Sequence, residues 1–132
     1  MPTTEITYRL DPFPTDAELA RIWGPAWGEP WTGDLGKMLP RSIVHACAYD
    51  GDRLVGYVNV AWDGGGHAFL LDPTVDVAYQ RRGIARELVR HVADAARDRG
   101  AEWLHVDYEP HLDGFYTACG FRPTAAGLIR LA

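Results

Sequence analysis

The chain is 132 residues long, 47% hydrophobic and 23% charged, with a net charge of −5. These values fit one soluble globular domain over residues 1–132, long enough to bury a core without disulfides or metal, and no apolar run reaches membrane-spanning length. Two cysteines, Cys47 and Cys119, with no CxxC and no His/Cys cluster, make neither a disulfide framework nor a zinc site. The polar start, Met1 to Glu5, has neither the basic nor the apolar region of a signal peptide, so the expected compartment is cytoplasmic.

In chain order, Ile6-Thr7-Tyr8-Arg9-Leu10 alternates and reads as a first strand. After Asp11-Pro12-Phe13-Pro14, Thr15 or Asp16 can cap a helix through about Trp23, which Gly24-Pro25 is expected to end. Residues 26–41 are rich in Gly, Pro and Trp and predict a loop with a short helix near Asp34 to Leu39. Trp23, Trp27 and Trp31 fall within nine residues. They read either as core caps or as an aromatic wall around a cationic acceptor.

Three strands follow: Ser42 to Tyr49, Arg53 to Trp62, and His67 to about Val77. Asp50-Gly51-Asp52 and Asp63-Gly64-Gly65-Gly66 are their hairpin turns. Pro73 cannot donate to a ladder, so the third of these strands is irregular or unpaired on one side there. Ile84 to about Arg99 is the clearest helix, with Ile84, Leu88, Val89, Val92, Ala93 and Ala96 on one face. Trp103 to Tyr108 reads as a strand and His111 to Cys119 as a short helix. A last strand region is expected from Phe121 to Leu131. Hairpins followed by a crossover helix give an α+β class with a mixed, mostly antiparallel sheet and one parallel pair.

Charge is unevenly spread. Residues 80–100 carry six arginines against three carboxylates, a local +3 that leaves −8 on the rest of the chain. A small positive centre suits a compact anion better than nucleic acid. The acidic remainder favours an amine as second ligand. The centre coincides with Gln80-Arg81-Arg82-Gly83-Ile84-Ala85, between a strand and the long helix. Such a turn aims backbone N–H groups at one point, at the positive end of the helix dipole. It has no Gly-Lys-Ser/Thr ending and no GxGxxG, so it is neither a Walker loop nor a Rossmann fingerprint.

The turn resembles instead the acyl-CoA loop of the GNAT acetyltransferases, Gln/Arg-x-x-Gly-x-Gly/Ala. Farther on, Glu109 to Phe121, ending Phe115-Tyr116-Thr117-Ala118-Cys119-Gly120-Phe121, is similar to that family's Asn…Phe/Leu-Tyr-x-x-x-Gly-Phe segment. The resemblance implies a GNAT-like sheet flanked by helices, its parallel strand pair splayed to admit acetyl-CoA as co-substrate. It implies that Gln80, Arg81, Arg82, Gly83, Ile84, Ala85 and Arg86 hold the pyrophosphate. It implies that the backbone of Val75, Asp76 and Val77 pairs with the pantetheine and supplies an oxyanion donor. Tyr116 is implied as the general acid for the departing thiolate. Glu109 replaces the usual Asn and could act as a base or contact the acceptor. Asp72, Asp63 and His111 are competing base candidates. The implied activity is direct acetyl transfer to a primary amine of a small molecule or peptide, without metal, nucleic acid or membrane. A homodimer is common in that family. The alternative is a non-catalytic acyl-CoA-binding module.

Overall fold

A computed structural model describes residues 5–132, so most of the polar start, Met1 to Thr4, lies outside it. Five strands form one sheet in the order β1-β2-β3-β4-β5. They are β1 (Ile6–Leu10), β2 (Ser42–Asp50), β3 (Arg53–Trp62), β4 (His67–Val75) and β5 (Trp103–His105). The first four are antiparallel to their neighbours, and β4 and β5 run parallel. Helices cover both faces: α1 (Asp16–Trp27) and α2 (Leu35–Met38) on one, α3 (Ile84–Asp98) and α4 (Asp113–Ala118) on the other.

Alternation along the strands builds two cores. Val44, Ala46, Ala48, Val55, Val58 and Val60 face Ile84, Leu88, Val89 and Val92 of α3. Cys47, Tyr49, Leu54 and Tyr57 face Leu19, Ile22 and Trp23 of α1. The first contact is tight at Gly56. A Cβ there would lie 3.0 Å from Leu88 Cδ1 and 3.2 Å from Ile84 Cγ2. The glycine lets the start of α3 sit directly on the sheet.

Five features differ from the sequence expectation. α1 does not stop at Gly24-Pro25. A capping box starts it, with Glu18 N–H donating to Thr15 Oγ1 at 3.1 Å and Thr15 N–H to Glu18 Oε1 at 2.9 Å. Pro25 lies inside the last turn, and Gly28, at φ +76°, ends the helix by donating to the Gly24 carbonyl. The proline removes one donor near the end of the helix. Against that loss, Trp27 stacks on Trp23 and its Nε1 donates to Thr74 Oγ1 at 2.9 Å.

β4 ends at Val75 and β5 already at His105. The expected helix from His111 splits into a 3-10 turn (Pro110–Leu112) and α4. No strand follows Phe121. Leu128 and Ile129 are adjacent apolar residues, so they cannot share a strand face, and both are exposed.

Candidate active site

The short parallel pair opens the site. β4 and β5 pair only through His67–Trp103, Ala68–Leu104 and Phe69–His105. From Leu70 onwards β4 has no strand on that side. Pro73 sits on this open edge, where its missing N–H breaks no ladder. The edge leads straight to the turn before α3.

That turn is held from below. The Asp76 carboxylate, nearly buried, lies 3.3 Å from Arg21 and 3.5 Å from Arg53, and also accepts from Ala78 N–H at 2.9 Å. Arg21 donates as well to the Leu54 carbonyl. The Asp76 N–H is engaged by the Val55 carbonyl at 2.8 Å, so neither group faces the open edge. Gln80 Nε2 donates to the Val75 carbonyl at 3.2 Å and closes the turn on itself. Val77 is half exposed.

Arg81, at φ +64°, and Gly83, at φ +78°, both take left-handed backbone before the helix begins. Gly83 is the N-cap and supplies no side chain to the helix start. The first intrahelical bond runs from Glu87 N–H to the Gly83 carbonyl, which leaves the N–H groups of Ile84, Ala85 and Arg86 for a ligand. A Cβ at Gly83 would meet no protein atom within 4 Å.

A groove of about 500 Å³ starts at Arg82, Gly83 and Arg86 and continues past Arg90 to Ala118 and Cys119. Not all of its charge is available. Arg90 is paired with Glu87 at 2.9 Å and Arg97 with Asp94 at 3.1 Å. Arg82 lies over the Tyr79 ring, 5.0 Å from its centre. Arg86 pairs with no carboxylate among the described residues. Orphan N–H groups, a left-handed nest and Arg82 with Arg86 fit an anion such as a pyrophosphate.

Beyond the groove, α4 buries Tyr116 in the hydrophobic core shared with α3, 4% exposed. Its ring stacks on Tyr108 at 4.6 Å and meets Phe115 and Phe121 edge-on. Burial, then the charges of Cys119, Asp107 and Tyr108, push its hydroxyl up to about 12. The group is a proton donor at neutral pH. Glu109 is exposed at the start of the 3-10 turn and caps it with no side-chain hydrogen bond. His111 is exposed in that turn. Asp63 accepts from Gly65 N–H in the β3–β4 hairpin, at the far end of β4. Burial pushes the Cys47 thiol up to about 12 and raises Cys119 as well, so neither is poised as a nucleophile.

Sequence reasoning left Asp72 as one of three alternatives and did not single out Tyr57 or Asp107. Asp72 occupies a break in β4, where Tyr57 pairs with Thr74 but Asn59 pairs with Leu71. Its φ is +58°. It shares the wall of a second cavity, of about 510 Å³, with Trp23 and Trp31. The local signal was the irregularity expected at Pro73. The indoles come from α1 and the loop after it, more than forty residues earlier.

Residues 9–121 match the acetyltransferase (GNAT) family. This chain belongs to it. A GNAT acetyltransferase from Streptococcus pneumoniae is 25% identical and superposes with a TM-score of 0.80 over 97% of this chain and 98% of its own. An aminoglycoside N-acetyltransferase solved in complex with CoA shares the fold, with a TM-score of 0.77 over 99% and 97% of the two chains at 15% identity. Glucosamine 6-phosphate N-acetyltransferase 1 of Oryza sativa is 40% identical over 50 residues. That match spans 38% of this chain and only 30% of the rice protein. Among the described residues no group of three or more His, Cys, Asp or Glu side chains could hold a metal, and no helix is long and apolar enough to cross a membrane.

Proposed function

We propose that this GNAT domain transfers an acetyl group from acetyl-CoA to a primary amine of a small molecule or peptide. One observation carries the reading: the edge of β4 beyond Phe69 is free of β5 and runs into the unfilled N-terminus of α3. A strand edge takes an extended amide chain, and a helix start takes a diphosphate. The two lie in the order that pantetheine and pyrophosphate have in CoA.

The bound co-substrate supplies an acyl carbonyl activated as a thioester. The N–H groups of Ile84, Ala85 and Arg86, with Arg82 and Arg86, hold its phosphates. Free backbone N–H on the β4 edge near Val75 and Val77 steadies the charge that gathers on the carbonyl oxygen. A neutral amine forms the new C–N bond as the C–S bond breaks. The amine loses a proton to solvent, and Tyr116 gives one to the thiolate. Tyr116 then recovers its proton from solvent. Neither cysteine takes part, so transfer is direct. Exposed Glu109 is assigned to the rim, where it meets the incoming acceptor.

The test is cofactor binding. Acetyl-CoA should raise the melting temperature clearly more than ADP, which lacks pantetheine. Gly83→Glu adds a carboxylate beside the phosphate position; its Cβ meets no protein atom within 4 Å, though the left-handed backbone at φ +78° is strained for it. It should weaken acetyl-CoA by about tenfold or more, the weight of one charge-assisted hydrogen bond. Equal stabilisation by ADP and acetyl-CoA would overturn the reading.

A further inference from the structure

The second cavity lies between the α1–α2 loop and the β4 break. Its wall includes Trp23, Trp31, Met38, Glu29 and Asp72 and contains no lysine or arginine. Trp23 is braced by Trp27 at 5.2 Å and meets Trp31 edge-on at 4.7 Å. Trp31 is fixed by its Nε1 donating to Asp16 at 2.8 Å. The indoles are therefore held in place before any ligand arrives.

Two polar groups here lack partners. The Asp72 carboxylate pairs with no cation among the described residues, and only its backbone carbonyl is used, by Thr74 Oγ1. Tyr57 is fully buried, and its hydroxyl has no hydrogen-bond partner among the described residues. That hydroxyl is not part of the cavity wall, and of the charges around it Asp72 acts on it most strongly. Asp107, in the loop after β5, bears on the charge of both Asp72 and Tyr116. An unpaired carboxylate in a wall without lysine or arginine lacks a donor with several N–H groups, which an ammonium provides.

We infer that Asp72 anchors the non-reacting ammonium of an aliphatic diamine, with Trp23 and Trp31 covering its methylenes. The inference rests on the acetyl-transfer reading, which puts the thioester carbonyl near Val75. Three residues of strand separate Asp72 from Val75, roughly 10 Å. That distance suits an anchored ammonium at one end of a short chain and a reacting amine at the other. A phosphate on the acceptor would meet only carboxylates in this wall.

Calorimetric titration of the full chain, saturated with CoA, tests the assignment. Butane-1,4-diamine should bind at least about tenfold tighter than butylamine, one charge-assisted contact. Glucosamine should bind tighter than glucosamine 6-phosphate. Asp72→Asn should erase the diamine preference while leaving CoA affinity unchanged, and asparagine tolerates the left-handed backbone. Equal binding of the diamine and butylamine, or a preference that survives Asp72→Asn, would overturn the anchor. The CoA titration is run first. Failure there defeats the acetyl-transfer reading, whereas a flat diamine titration on the CoA-loaded chain defeats only the anchor.

Discussion

Tyr116 carries the chemistry proposed here, and its surroundings define what a substitution would do. Its ring is packed against Tyr108, Phe115 and Phe121, and its buried hydroxyl is held well above the usual tyrosine range. Tyr116→Phe keeps the stack and deletes only the donor. Turnover should fall by about a hundredfold or more, the ordinary weight of a general acid, while the acetyl-CoA dissociation constant stays within about twofold. Thiol release and calorimetry measure the two separately. Unchanged turnover would remove Tyr116 from the reaction, and silence towards every amine with intact CoA binding would favour the non-catalytic binding module. The short helix that holds Tyr116 was legible because its signal is local, an aromatic run closed by Gly120. The role of Asp76 was not. The sequence reading gave only its backbone to the ligand, and its carboxylate is turned inward to Arg21 and Arg53. Only the approach of α1, more than fifty residues earlier, decides which way that side chain serves.

At the scale of elements, the site depends on how closely α3 approaches the sheet. Gly56 permits that approach, since a methyl group there would press on Leu88, Ala48 and Ile84. Gly56→Ala should cost about 1–3 kcal/mol of stability as overpacking, and acetyl-CoA affinity should fall with it because Ile84 opens the anion-binding turn. Urea denaturation and an acetyl-CoA titration measure the pair. A destabilised variant with unchanged affinity would uncouple the helix position from the turn. The long helix and the four antiparallel strands were legible because their periods are strong and their turns carry glycine. The extent of α1 was not, because local chemistry at Gly24-Pro25 argues for a stop. Tertiary contacts of Trp27 with Trp23 and Thr74 carry the helix one turn farther. The length of β5 was equally hidden. Trp103 to Tyr108 has strand composition throughout, yet pairing with β4 stops at His105. The unpaired remainder of that edge is what opens the site.

Over the whole molecule, charge is divided between two ligand regions on opposite sides of the β4 edge. The groove at α3 offers Arg82 and Arg86 to an anion, and the cavity under the indoles offers Asp72 to a cation. The sequence showed the basic centre and the acidic remainder, but not that Asp72 and the indoles of Trp23 and Trp31 converge on one wall. That convergence weighs on the free protein. Burial first, and then the charge of Asp107, hold the Asp72 carboxyl above its ordinary range. Above that raised value the folded chain carries a charge that the unfolded chain solvates better, so ionised Asp72 lowers stability. The loss is relieved as pH falls through the raised value. Asp72→Asn should therefore melt at a higher temperature than the wild type at neutral pH without ligand. The gap should close in acid, where the wild-type group is also neutral. Saturating butane-1,4-diamine on the CoA-loaded chain should reverse the order, because only the wild type gains from binding. Thermal denaturation across pH, with and without the diamine, reads all three outcomes. A ligand-free Asp72→Asn protein that melts lower at neutral pH would mean that the carboxylate supports the β4 break itself rather than awaiting a cation.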